Sequence, residues 1–291
     1  MRADGWRDLD LRLRPADEFR AARGLHNINS CRSEEFWIMS SENGVLRGKR
    51  VVVLGASRGV GREIVLHASA EGAQVLAVAR QAHGLADLEK EMRGVDTLAL
   101  DAASEAAPLK VFRRARPDLL VICGGATPPT RPMSELSWAE FGINWEVDAK
   151  MAFLFCREAL RLPLAPGSVV VIISSGAGLG GSPISGGYAG AKRMQMFIAK
   201  YCQAESDRRE LGIRFAALVP SRVMPETDLG QAAVNGYAKY LGVPAEKFLE
   251  NMGPRQSPTD VAKAVLDIAM RQPAEPGSIF TISADGFAAA S

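Results

Sequence analysis

From Arg50 onward, short apolar runs alternate with amphipathic stretches. Val51–Leu54 is an unbroken apolar, largely β-branched run, the pattern of a parallel strand buried on both faces. A glycine turn follows, and then Val60, Ile64 and Ala68 recur at helical spacing. Gly72 is placed to end that helix. Gln74–Ala79 reads as a second strand, and Leu85, Leu88 and Met92 as a helical stripe. Thr97–Leu100 and Leu119–Cys123 read as strands three and four. Ser137 can cap a long helix that runs to about Leu162, where Pro163 stops it. Val169–Ile173 predicts strand five, and a second long helix runs from near Tyr188 to near Gly212. Arg214–Val219 predicts strand six. Ser257 and Pro258 open a further helix as cap and first-turn residue, and Ser278–Ile282 predicts the last strand. The alternation predicts an α/β fold: one doubly wound parallel sheet with right-handed crossovers. Residues 221–257 are an excursion between strand six and the last helix, past a strand's carboxyl end. That is where a substrate lid belongs.

Composition narrows the class. The 291 residues suit one α/β domain. At 47% hydrophobic and 23% charged, the chain is neither collagen-like nor broadly disordered. Its longest apolar runs reach about five residues, whereas a membrane helix needs about twenty, so no membrane partner is expected. The net charge of +2, with no basic tract, argues against nucleic acid. Cys31, Cys123, Cys156 and Cys202 lie far apart with no CxxC pair. That pattern points to a reducing, cytoplasmic setting and to no metal site. Cys123 and Cys156 lie within apolar runs and read as core thiols.

Residues 1–38 are distinct, with seven Arg, no Lys and seven acids. No apolar core of a secretory signal is present, and the acids disfavour a transit peptide. The division expected is an N-terminal extension over 1–46 and the α/β domain over 47–291. The extension is either dispensable, with a native start at Met39, or an arm that packs on a partner subunit.

Two patterns carry chemistry. The turn containing Gly55, Ser57, Arg58, Gly59, Val60 and Gly61 joins strand one to helix one. Glycines there permit a tight turn and close approach of a pyrophosphate, and the helix N-terminus supplies free N–H groups. An acid that would grip a ribose 2′-hydroxyl is missing from the end of strand two, which closes on Ala79 and Arg80. Arg58 and Arg80 suit a 2′-phosphate, because guanidinium binds phosphate bidentately. The cofactor expected is NADP(H) rather than NAD(H). The second pattern is Ser175 at the end of strand five, with Tyr188 and Lys192 following. Tyr188 and Lys192 share a helix face at i and i+4. An ammonium beside a phenol stabilises phenolate, so the tyrosine can pass a proton to or from a carbonyl oxygen. A nearby serine hydroxyl can orient that oxygen.

With these residues in place, the chain resembles the short-chain dehydrogenase/reductase family over about residues 47–289. The matching pieces are Gly55-x3-Gly59-x-Gly61, Ser175 and Tyr188-Ala-Gly-Ala-Lys192. Asp101 matches an acid that contacts adenine, and Cys123-Gly124-Gly125 matches an Asn-Ala-Gly stretch after strand four. Pro220-Ser221 matches a Pro-Gly after strand six. The resemblance implies a Rossmann-type fold, a nicotinamide cofactor and a homodimer or homotetramer. It implies substrate polarisation by Ser175, acid/base work by Tyr188, and ribose binding by Lys192. It also implies cofactor contacts at Asp101, Gly124, Gly125, Pro220, Ser221 and Val223.

Three departures stand out. Asp148 occupies the position of an asparagine that supports a relay water, and its carboxylate would stabilise the Lys192 ammonium and change the pH profile. Asn144, one turn earlier, is a possible substitute. Cys123 replaces an asparagine, so hydrogen bonding in the central sheet must differ. Ser221 replaces a glycine, and Thr227 reaches the carboxamide only if two residues are inserted.

In the lid, Val223, Met224, Leu229, Tyr237, Tyr240, Leu241, Phe248 and Met252 either line an apolar pocket or merely pack its helices. The first option implies a mid-sized apolar ketone, aldehyde or alcohol as substrate. Arg222 instead suits a carboxylate or a carrier's phosphate. Met194, Met196, Phe197 and Ile198 cover more than one face of the second long helix, as a helix shared with another subunit would. The activity expected is hydride transfer between a carbonyl and an alcohol. The alternative is a catalytically weakened NADP(H)-binding sensor or scaffold.

Overall fold

The computed structural model describes residues 44–92, 94–253, 255–271, 279–283 and 286–289. The expected N-terminal extension lies outside the described residues as far as residue 43, and Cys31 and Met39 lie outside them with it. Seven parallel strands form one sheet in the order β3-β2-β1-β4-β5-β6-β7. They are β1 (Arg50–Leu54), β2 (Gln74–Ala79), β3 (Asp96–Ala99), β4 (Leu119–Ile122), β5 (Val169–Ile173), β6 (Arg214–Pro220) and β7 (Ile279–Ser283). An eighth, β8 (Gly286–Ala289), joins the β7 edge antiparallel. Sequence patterning does not anticipate β8, because a short edge strand of small residues carries little period-2 signal.

The apolar runs form the sheet because they are covered on both sides. Val52, Leu54, Leu120, Ile122, Val170 and Ile172 face a core shared with α3 (Ala107–Arg114), α5 (Lys150–Arg161) and α7 (Gly187–Arg208). Helix α1 (Gly59–Ala70) packs on α10 (Pro258–Met270). Between β2 and β3 runs α2 (Ala82–Glu91). Helix α3 is a further element absent from the pattern reading. Its buried positions, Ala107, Pro108, Val111 and Phe112, occupy only two turns, too few for a periodic stripe.

The long helix expected from Ser137 to Leu162 is interrupted. Ser137 does cap it, in a reciprocal capping box with Glu140. Helix α4 (Trp138–Asn144) then passes through one π-helical turn, Trp145–Ala149, before α5 begins. Such an inserted turn shifts the face on which later side chains emerge. After β5 come α6 (Ala177–Gly180) and α7. The excursion after β6 folds into α8 (Asp228–Leu241) and α9 (Ala245–Asn251). Ser257 caps α10 in a second capping box, with Pro258 in its first turn. Among the described residues no helix is long and apolar enough to cross a membrane.

Strand order reverses at β1, whose neighbours are β2 and β4. In open parallel sheets the crevice beyond the carboxyl ends at such a reversal is the usual binding place. The functional residues expected from the sequence gather along that edge.

Candidate active site

The loops after β1 and β4 meet at the reversal. A side chain at Gly55 would come within 2.5 Å of the Gly124 backbone, so this crossing tolerates glycine alone. The Gly55 and Ala56 amides donate to the Val78 carbonyl at 2.8 and 3.1 Å, which holds the turn against β2. Arg58 stands at the N-cap of α1 with no side-chain cap bond, and the first turn of α1 holds no acidic residue. The helix thus presents uncapped N–H groups at the crevice, as an anion-binding terminus does. Ser57 packs under Gly84, whose added Cβ would lie 2.8 Å from Ser57 Cβ. Val60 is half-buried in the first turn of α1.

Arg80 is exposed where β2 ends. Asp101, exposed after β3, accepts from the Ala103 amide at 3.0 Å. Arg58 is also exposed, and its guanidinium pairs with Asp228 on α8 at 2.5 Å. Pro220 is buried at the end of β6, Ser221 is exposed and Val223 half-buried. Ser221 N–H donates to the Ile282 carbonyl at 3.0 Å. Thr227 lies at the N-cap of α8. Its hydroxyl donates to Met224 O at 2.8 Å and accepts from the Gly230 amide at 3.0 Å, capping α8.

Ser175 follows β5, and its hydroxyl accepts from the Ala177 amide at 3.2 Å. Its neighbours fix α7 against the strand. Ser174 Oγ donates to Lys192 O at 2.7 Å, and Lys192 Nζ donates to Ile173 O at 3.1 Å. Lys192 Nζ lies 5.6 Å from the centre of the Tyr188 ring. Strand β5 and helix α7 therefore bring Ser175, Tyr188 and Lys192 to one end of the sheet.

Asp148, in the π turn, faces the same ammonium. Its Oδ2 lies 3.3 Å from Lys192 Nζ. Its Oδ1 accepts from the Ala126 amide at 2.8 Å and from Asn144 Nδ2 at 3.3 Å. Asn144 Nδ2 also donates to Ala126 O at 2.8 Å. Gly125 makes room for this carboxylate, since a side chain there would meet Asp148 Oδ2 at 2.7 Å. Burial works to lower the Lys192 pKa. The Asp148 carboxylate, Tyr188 and Cys123 together outweigh it, so the ammonium is held above the usual lysine range. Cys123 is half-buried as a residue, but its thiol is buried. Burial of its thiol pushes it up to about 12, against the pull of Lys192. It is neutral beside the ammonium at ordinary pH. Its backbone amide still ties β4 to β1 through Leu54 O at 3.1 Å.

Three contacts escape the sequence reading. Gln195, fully buried, donates from Nε2 to the Asp148 carbonyl at 3.1 Å. Its spacing from Lys192 put it on the buried face of α7, and an amide there was a visible signal. Tyr237 on α8 donates to Ser182 Oγ at 2.7 Å. Asp228, the partner of Arg58, lies 170 residues away, and no local pattern could join them. Of the proposed lid lining, Tyr237 and Phe248 stack at 5.5 Å and pack α8 on α9, whereas Leu229, Tyr240 and Leu241 stay exposed.

Known proteins resemble this chain in sequence and in fold. A family profile described as short chain dehydrogenase matches residues 49–237. L-xylulose reductase from Bos taurus is 30% identical over 190 residues, covering 65% of this chain and 76% of that one. Matches to the same enzyme from three rodents span 54% of their length, about half of those relatives. A 3beta-hydroxysteroid dehydrogenase from Mediterraneibacter gnavus is 26% identical over 182 residues, 60% of this chain and 65% of that one. Among solved structures, the 3-ketoacyl-(acyl-carrier-protein) reductase from Brucella melitensis, complexed with NADH, superposes with a TM-score of 0.67 at 21% identity. It covers 80% of this chain and 96% of that one. With the profile matching well over half of its length, the chain belongs to the short-chain dehydrogenase family of oxidoreductases.

Proposed function

We propose that the protein interconverts a ketone or aldehyde and an alcohol with NADP(H), using Tyr188 as acid/base. The observation that carries this reading is the buried Lys192 ammonium beside the Tyr188 ring, at the end of β5 that also holds Ser175. The uncapped N-terminus of α1, free of acids in its first turn, fits a dinucleotide's pyrophosphate. Gly55, Ser57, Gly59, Val60 and Gly61 would hold it there. Arg58 and Arg80 would take the 2′-phosphate, and Asp101 would face the adenine. Gly124, Gly125, Pro220, Ser221 and Val223 would flank the nicotinamide half.

When bound, the nicotinamide supplies or accepts the hydride. Ser175 Oγ orients the carbonyl oxygen by a hydrogen bond. Tyr188 gives that oxygen a proton in reduction and takes it back in oxidation. Lys192 favours the phenolate by its charge and binds the nicotinamide ribose. Asp148 holds Lys192 protonated and in place. The names of the two enzyme relatives, a ketose reductase and a hydroxysteroid dehydrogenase, support carbonyl/hydroxyl chemistry. The exposed Leu179, four residues past Ser175, supports an apolar substrate under a lid formed by residues 221–257.

A second copy of the chain fits the aromatic surface of α5 and α7. Phe153 and Tyr201 are 50% and 63% exposed, and Phe197 stacks on Tyr201, so a homodimer or homotetramer would cover them. Four widely spaced cysteines with no CxxC pair support a reducing, cytoplasmic setting. The second reading, a sensor with weakened catalysis, draws on the Asp148–Lys192 pair, which ties up the ammonium. Steady-state rates with NADPH and NADH across ketones, aldehydes and quinones decide the matter. Carbonyl-dependent oxidation with higher kcat/KM for NADPH is expected. Equal or better use of NADH would overturn the cofactor assignment.

A further inference from the structure

The first turn of α8 lies directly on the glycine turn. An added Cβ at Gly59, which has a positive φ of 52°, would meet the Thr227 side chain at 3.4 Å. Next to Thr227, Asp228 extends its carboxylate to Arg58, Oδ2 to Nη1 2.5 Å. Arg58 is the N-cap of α1, and Asp228 is the first residue of α8. One carboxylate therefore satisfies a guanidinium that stands at the mouth of an uncapped helix N-terminus, and α1 supplies no acid of its own there. Carboxylate and phosphate present the same acceptor geometry to a guanidinium.

We propose that Asp228 sets cofactor preference by occupying Arg58 until an adenosine 2′-phosphate displaces it. The proposal rests on the reading that Arg58 binds the 2′-phosphate. Displacement leaves Asp228 at the N-terminus of α8, where a carboxylate is still favoured by the helix dipole. The exchange is therefore inexpensive. Both side chains are more than half exposed, at 62% and 68%, so solvent and salt screen the pair and it opens readily. A cofactor lacking the 2′-phosphate leaves the pair closed. The first turn of α8 is then held by Asp228 in one case and released in the other, so the lid registers which cofactor has arrived.

The experiment uses 2′,5′-ADP and 5′-ADP as probes of the full chain, with Asp228→Asn and Arg58→Gln in parallel. Dissociation constants come from calorimetry, and amide hydrogen exchange is followed over residues 227–231. Asp228→Asn is expected to tighten 2′,5′-ADP about two- to fivefold, the size of one exposed ion pair, and to leave 5′-ADP unchanged. In the wild type, 2′,5′-ADP is expected to speed exchange in the first turn of α8, and 5′-ADP is not. Two failures are distinguishable. If Arg58→Gln weakens 2′,5′-ADP but Asp228→Asn changes neither affinity nor exchange, the competition is refuted and Arg58 remains the phosphate ligand. If Arg58→Gln leaves the preference between the two probes intact, the phosphate assignment itself falls, and the role of Asp228 falls with it.

Discussion

Asp148 and Lys192 face one another at 3.3 Å with side chains only 1% and 6% exposed. The contact joins the π turn between α4 and α5 to the second turn of α7, so two segments that flank the crevice share one buried charge pair. Breaking such a pair from one side leaves an uncompensated charge. Its consequence for chemistry is a matter of sign. Burial alone lowers the Lys192 pKa, and the carboxylate, the largest of the opposing influences, helps to reverse that with Tyr188 and Cys123.

Asp148→Asn removes the charge and keeps the shape, so burial then dominates and the Lys192 pKa falls. The ammonium is lost at lower pH than in the wild type. The alkaline limb of kcat/KM against pH is expected to move toward acid, with kcat near its optimum retained. An unchanged profile would show that Asp148 does not govern Lys192.

Tyr237 ties α8 to the segment before Tyr188. Its hydroxyl donates to Ser182, Ser182 bonds Ser185 at 2.7 Å, and the Tyr188 amide donates to Ser185 O at 3.1 Å. Tyr237→Phe removes one hydrogen bond, worth about 0.5–1.5 kcal/mol. A higher substrate KM with faster amide exchange in α8 is expected, and the pH profile should not move. Equal KM values in the two proteins would separate α8 from substrate binding.

Two glycine-to-alanine changes should move stability in opposite directions. At Gly61 an added Cβ would overlap the Gly55 carbonyl, so the turn must shift. A loss of about 1–3 kcal/mol is expected from urea denaturation. At Gly142, inside α4, nothing lies within 4 Å of the added atom. There alanine should add up to about 1 kcal/mol through helix propensity.

Much of this architecture could be read from the chain. Val51–Leu54, Val169–Ile173 and the capped starts at Ser137 and Ser257 carried unambiguous signals, because burial on both faces and orphaned helix N–H groups each select few residue types. The proximity of Tyr188 and Lys192 followed from helical spacing alone. The π turn did not, because one inserted residue leaves the local apolar pattern intact. The Arg58–Asp228 pair was equally hidden. It depends on where the excursion after β6 comes to rest, which tertiary packing decides. The capping role of Thr227 on α8 was hidden for the same reason.

The most direct test compares wild type with Tyr188→Phe. Carbonyl-dependent oxidation of NADPH is followed by nicotinamide absorbance, and NADPH affinity is measured separately. The substitution removes only the hydroxyl that carries the proton. Turnover should fall about 10²–10⁴-fold, with NADPH affinity within a factor of two or so, since only a general acid/base is lost. Turnover that survives in Tyr188→Phe, or tight NADPH binding with no turnover of any carbonyl by the wild type, would contradict acid/base catalysis at this site.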